Sequence, residues 1–157
     1  MDNKERNEKI LALTCELLGK MNFVVENAFV EDVEGEEPQV LVGITVSNPG
    51  SLIGFKGRNL VAVQLILGLM VKKKLGEWVK VLLDVNDYRQ EQKARLEAMT
   101  RSLAQKAVET GKPVAMMTMS AYERRLCHMV LAEMGGVTGE SEGEGEERHI
   151  VIKPVAL

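Results

Sequence analysis

Twelve consecutive positions, Leu60 to Val71, are apolar except for Gln64 and Gly68, and no other stretch narrows the possible folds so far. A helix needs about 20 such residues to cross a bilayer. A helix that is apolar all round cannot face water, so the run reads as one buried beneath a second layer. The helix extends from about Asn59 to Leu75. Lys72, Lys73 and Lys74 suit the negative end of its macrodipole, and Gly76 suits the left-handed residue that closes it.

The flanking segments supply the covering layer. Ile10, Leu13, Leu17 and Leu18 recur at helical spacing within Asn3 to Lys20, which predicts an amphipathic helix. Phe23 to Val33 and Gln39 to Ser47 are rich in β-branched residues and are separated by a polar turn, Glu34 to Pro38, which predicts a hairpin. Asn48-Pro49-Gly50 stops the second strand, and Ser51 to Ile53 forms a single helical turn. Trp78 to Val85 is a third strand, with Val79, Val81, Leu83 and Val85 on one face and Trp78 packed inside. The order is helix-strand-strand-helix-helix-strand, an α+β layer.

Asp84 to Gly111 predicts a long charged helix with Asp87 as its N-cap and a stripe of Leu96, Met99, Leu103 and Ala107. Val114 to Met119 reads as a short strand. Ser120 and Glu123 form a capping box that starts a helix over Ala121 to Met134, stopped by Gly135-Gly136. A Glu/Gly-rich turn, Ser141 to Glu147, precedes a final strand, His149 to Lys153. Two domains follow from this pattern, residues 1–86 and 87–157, joined by the long helix.

Net charge is -3, but its distribution matters more than its sum. Residues 1–50 hold 4 basic and 10 acidic residues, 51–135 hold 14 and 8, and 136–157 hold 2 and 5. A polyanion would therefore sit on the basic middle. Met1 to Glu8 is polar and unlike a signal peptide. Cys15 and Cys127 have no CxxC spacing and read as two buried thiols in a reducing, cytoplasmic compartment.

Within the basic segment, Gly54-Phe55-Lys56-Gly57-Arg58 joins the helical turn to the apolar helix. A Gly-x-x-Gly pair alone is weak in a chain with 14 glycines, and a tight helix-turn-helix corner uses glycines equally well. The context adds weight. Glycines let backbone approach a sugar-phosphate chain, the following helix start offers unpaired N–H groups, and Lys56 and Arg58 add charge. A phosphate loop of the nucleotide-hydrolase kind fits poorly, because no Gly-Lys-Ser/Thr follows.

Ile53 to Leu60, in this element order, resembles the type II KH domain. The resemblance implies that the loop clamps about four nucleotides of a single strand beside an apolar groove. Ile53, Leu60, Val42 and Ile44 are groove candidates, and most of them read as plain core. Further on, Arg124 and His128 lie one helical turn apart after the capping box, and Ser141 to Arg148 follows. This arrangement resembles the R-3-H domain, a small α/β fold that binds single-stranded nucleic acid. The resemblance places Arg124, His128, Ser141 and Arg148 near phosphates.

A KH domain followed by an R-3-H domain is similar to the bacterial Jag family, also called KhpB or EloR. The similarity covers essentially the whole chain. It implies an RNA chaperone or post-transcriptional regulator linked to cell elongation and envelope homeostasis. It also implies pairing as a homodimer or with a single-KH protein of the KhpA type. Many members carry an extra N-terminal domain, whereas the first helix here begins within ten residues of Met1, so a chain lacking that domain is expected.

Catalysis is not expected. Cys127 and His128 are adjacent, and helix neighbours project about 100° apart, so they cannot form a nucleophile-base pair. Two separated histidines and two separated cysteines give no metal-ligand spacing, and no cofactor is implied. With 4% aromatic residues, stacking on an open sheet is a poor model, leaving Phe55, Tyr88 and Tyr122 as the few candidate stackers. The methionines suit either core gaps or an adaptable surface for a protein partner, so a protein-interaction module without direct RNA contact is the alternative function.

Overall fold

Helix α1 (Asn3–Lys20) is capped by Asp2, whose carboxylate accepts from the Lys4 amide. Ile10, Thr14 and Leu18 are buried on one face, four residues apart. Thr14 is tolerated there because its hydroxyl donates to the Ile10 carbonyl at 2.8 Å. The computed structural model describes residues 1–156 and divides the chain into two α+β units, Met1–Arg89 and Gln90–Leu157.

In the first unit, strands β1 (Val25–Val33) and β2 (Gln39–Val46) pair antiparallel. Strand β3 (Lys80–Val85) joins β2 in parallel, giving the order β1-β2-β3. A parallel partner requires a crossover. Here it consists of helix α2 (Pro49–Ile53), a 3-10 turn at Phe55–Gly57 and helix α3 (Arg58–Leu75). Val40, Val42, Ile44 and Val46 of β2 join Val79, Val81, Leu83 and Val85 against Ile10, Leu18, Leu60, Leu67 and Val71.

Five expectations need correction in this unit. Helix α3 is buried on one side only: Leu60, Val63, Leu67 and Val71 are inside, whereas Val61 (63%), Leu65 (60%) and Leu69 (53%) are open to solvent. A single three-stranded sheet with one neighbouring helix cannot cover its whole circumference. The combined segment Pro49–Leu75 is apolar and long enough to cross a membrane by composition, contrary to the sequence reading. It is broken at Gly54 and Gly57, and its inner face forms the core. Trp78 is not inside but 50% exposed, with the Lys72 ammonium 5.7 Å from its ring centroid. Strand alternation explains this, because Val79 and Val81 point inward and Trp78 is out of phase with them. Cys15 is exposed rather than buried. Helix α2 begins at Pro49, two residues earlier than expected, with proline at a position where no amide is needed.

Helix α4 (Tyr88–Thr110) is entered through Asn86 and Asp87, both left-handed (φ 50 and 57). Asp87 is therefore not a conventional N-cap, and it is Asp84 Oδ1 that accepts from the Arg89 amide at 3.2 Å. The buried stripe of α4 is Leu96, Thr100, Ala104 and Ala107, with Met99 and Leu103 at its margin. Thr100 sits inside because its hydroxyl bonds the Leu96 carbonyl (2.7 Å) and Cys127 Sγ (3.2 Å).

The second unit continues with β4 (Val114–Thr118), α5 (Ala121–Met134), β5 (Val137–Glu142) and β6 (His149–Pro154). Its sheet is antiparallel, in the order β4-β6-β5. The capping box forms: the Ser120 amide donates to Glu123 Oε2 at 2.8 Å, and the Glu123 amide to Ser120 Oγ at 3.3 Å. Met116, Met119, Cys127, Leu131, Ile150 and Ile152 make up much of the core. Val137 to Glu142 is a strand where the sequence reading had no element, so Ser141 lies in β5 and not in the turn. Its alternation is carried mostly by polar residues and was hard to read.

Candidate nucleic-acid interface

The glycine segment owes its path to backbone that side chains resist. Gly54, Lys56 and Gly57 all have positive φ (73, 53 and 76). A Cβ on Gly54 would stand 2.6 Å from Asn59 Cγ, because Asn59 folds back to donate to the Ser51 carbonyl at 2.8 Å. A Cβ on Gly57 would stand 3.3 Å from Tyr88 Cε1. Both glycines are thus required by conformation and by close neighbours. Gly57 then caps α3, whose first amides have no partner within the helix.

Phe55, Lys56 and Arg58 are exposed on this bend. Phe55 is the most open aromatic residue, at 71%, with Lys56 Nζ 5.6 Å and the Arg58 guanidinium 5.9 Å from its ring centroid. Cations, an open ring and helix-start amides lie on one short segment. Among the groove candidates, Val42, Ile44 and Leu60 are core, and Ile53 is half-buried.

In the second unit the four other candidates fall into two bonded sets, His128 with Ser141 and Arg124 with Arg148 through Met119. His128 Nε2 lies 3.1 Å from Ser141 Oγ, joining α5 to β5. The Arg124 guanidinium donates to the Met119 carbonyl at 2.7 Å. The Met119 amide donates to the Arg148 carbonyl at 3.1 Å, and the Arg148 guanidinium donates to the Gly143 carbonyl at 2.9 Å. Each arginine has five N–H donors. One backbone bond orients the fork and leaves donors available for a phosphate.

Gly139 belongs to this candidate site by contact and was missed by sequence reasoning. A Cβ there would stand 2.6 Å from Leu131 Cδ1 and 3.1 Å from His128 Nδ1, so the imidazole rests on bare backbone two residues from Ser141. A lone glycine within a strand was the available signal. The alternate positions of β5, Glu140 and Glu142, form ion pairs with Lys153. Alternation therefore puts these acids opposite the Gly139 and Ser141 side.

The adjacent Cys127 and His128 serve different surroundings. Cys127 is buried with Sγ 3.7 Å from Met119 Sδ, and burial pushes its thiol above the ordinary value of 9.0 against the lowering effect of the Thr100 hydrogen bond. Among the described residues, no group of three or more His, Cys, Asp or Glu is placed to hold a metal ion.

Comparison with known proteins agrees with the second unit's architecture. Residues 94–154 match the model of the R-3-H domain. The chain is 31% identical over 145 residues to "RNA-binding protein KhpB" of Clostridium symbiosum, covering 92% of this chain and 64% of that protein. It is 26% identical over 151 residues to the protein of that name from Streptococcus pneumoniae strain D39, covering 94% of this chain and 46% of the relative. With the Lactiplantibacillus plantarum protein of that name it shares 33% identity over 121 residues, covering 77% of this chain and 38% of the relative. The chain thus spans between about a third and two thirds of the length of these relatives. It carries an R-3-H domain and is homologous to RNA-binding protein KhpB.

Proposed function

We propose that this protein belongs to the KhpB (Jag) family and binds single-stranded RNA, with unit 1 as a type II KH domain and unit 2 as an R-3-H domain. The observation that carries the reading is the exposed bend Gly54–Arg58, with its left-handed backbone, its two cations and its position at the start of an 18-residue helix. Gly54, Phe55, Lys56, Gly57 and Arg58 clamp the backbone of the strand. Arg124 and His128, oriented by Met119 and Ser141, contact phosphate in the second unit, with Arg148 beside them. The homology to proteins named for RNA binding supports the choice of polymer.

The protein acts without chemistry or cofactor, as a cytoplasmic RNA chaperone or post-transcriptional regulator tied to cell elongation and envelope homeostasis. The open stripe Val61, Leu65 and Leu69 supports pairing of α3 with a second copy or with a single-KH protein of the KhpA type. The same stripe is what a purely protein-binding module would use, and it is the reason to keep that second reading.

The test is a filter-binding titration with an unpaired oligoribonucleotide. Phe55→Asp with Lys56→Asp should abolish retention while circular dichroism stays unchanged. Retention equal to the wild type refutes the loop as the binding element, and the protein-interaction reading takes its place.

A further inference from the structure

Resting on that reading, we propose that Tyr88 and Arg89, the first turn of α4, are positioning residues for the RNA-binding loop. The chain leaving unit 1 thereby sets the affinity of the glycine bend. Tyr88 lies 31 positions after Gly57 in sequence, yet its ring covers the bare Cα of Gly57: an ideal Cβ there would meet Tyr88 Cε1 at 3.3 Å, the hydroxyl at 3.5 Å and Cζ at 3.7 Å. Gly57 is buried, left-handed, and the residue from which α3 departs. The ring therefore closes off the space into which the bend would otherwise relax. Tyr88 is itself half-buried and packs against the unit 1 core.

Arg89 fixes the same turn to two other elements. Its Nε donates to the Leu83 carbonyl at 3.1 Å and its Nη2 to Gln64 Oε1 at 2.8 Å, while Gln64 Oε1 also accepts from the Leu83 amide at 2.9 Å. Leu83 lies on β3, an edge strand, so these bonds occupy an amide and a carbonyl that would otherwise be free. Gln64 stands about two helical turns beyond Gly57 on α3. One turn of α4 thus grips α3 at its start and again farther along. Asn86 locks the approach, bonding the Val46 amide and carbonyl at 3.0 Å each and its own amide to the Ile44 carbonyl at 2.9 Å. The loop's shape is held from outside its own sequence by the segment Asn86–Arg89.

Removing the ring should leave the bend to be ordered on binding rather than beforehand. The expected loss is about fivefold in affinity, the factor for fixing the backbone of roughly one residue. Tyr88→Phe keeps the ring face and should bind as the wild type does. The experiment measures oligouridylate affinity of the full chain for wild type, Tyr88→Ala and Tyr88→Phe, together with the Gly57 α-proton shifts, which a ring lying on that carbon displaces. Support is a weakened Tyr88→Ala with moved Gly57 resonances, and both restored in Tyr88→Phe. Wild-type affinity in Tyr88→Ala overturns the inference, as does weakened affinity with unmoved Gly57 resonances. If Tyr88→Ala unfolds, Tyr88→Leu keeps apolar volume without the ring face and carries the same expectations. A wild-type chain that binds no unpaired RNA overturns the single-strand reading itself, a result distinguishable because the Gly57 shift still reports the contact.

Discussion

Replacing Gly139 by alanine tests whether the His128–Ser141 pair depends on bare backbone beneath the imidazole. The new methyl would lie 2.6 Å from Leu131 Cδ1, whereas carbon atoms rest at about 3.5–4.0 Å, so an atom must move by roughly 1 Å. Leu131 is 2% exposed and cannot swing into solvent. The Leu131 methyl must therefore shift within the core, and the half-buried His128 ring, 3.1 Å away at Nδ1, is pushed off as well. Overpacking of this kind costs about 1–3 kcal/mol, and loss of the bond to Ser141 adds about 1 kcal/mol. In a unit of this size that corresponds to roughly 10 °C or more in melting temperature. Scanning calorimetry of the full chain reads the shift, and the His128 imidazole resonances report whether the ring has moved. Leu131→Val, which removes the clashing atom, should recover part of the loss when combined with Gly139→Ala. An unchanged melting temperature with unmoved His128 signals would show that the pair does not need bare backbone at Gly139.

Other expectations follow from single contacts. Arg124→Ala with His128→Ala should weaken RNA binding mildly and lower the slope of log affinity against log salt by about one, read from titrations at several ionic strengths. Under native conditions a thiol reagent should label exposed Cys15 promptly and buried Cys127 only on unfolding; rapid labelling of both thiols contradicts the packing around Thr100 and Met119. Asn86→Ala should destabilise unit 1 by about 2 kcal/mol, because two half-buried backbone bonds to Val46 lose their partner, and urea denaturation measures it. Leu65→Asp should shift any self-association toward monomer in sedimentation without lowering stability, since Leu65 is 60% exposed.

Much of the fold was legible because its signals are local. The bounds of α1 and α5 were readable from the helical spacing around Ile10 and from the Ser120–Glu123 box. The inward phase of β3 was readable from Val79 to Val85. The same phase already implied that Trp78 faces outward, but bulk and apolarity argued the other way, and alternation prevailed. The half-open face of α3 was not readable, since an apolar helix does not reveal how many layers cover it. Strand β5 was missed because Gly139, Glu140 and Ser141 carry no β-branched pattern; its pairing with β6 along Val137 to Glu142 is a tertiary property. The candidate site divides in the same way. The glycines, Lys56, Arg58 and the Arg124–His128 spacing are sequence features. Asn59 beneath Gly54, Tyr88 on Gly57 and Gly139 beneath His128 arise only from folding the chain into contact with itself.

On our proposal, the exposed, positively flanked bend at the start of α3 holds an unpaired ribose-phosphate chain. Fluorescence anisotropy with a labelled oligouridylate and with a duplex of equal length, at low and at physiological salt, measures it most directly. The unpaired oligomer should bind saturably and more weakly as salt rises, with the duplex bound less tightly. Equal affinity for both forms, or no salt-dependent binding of either, would contradict it.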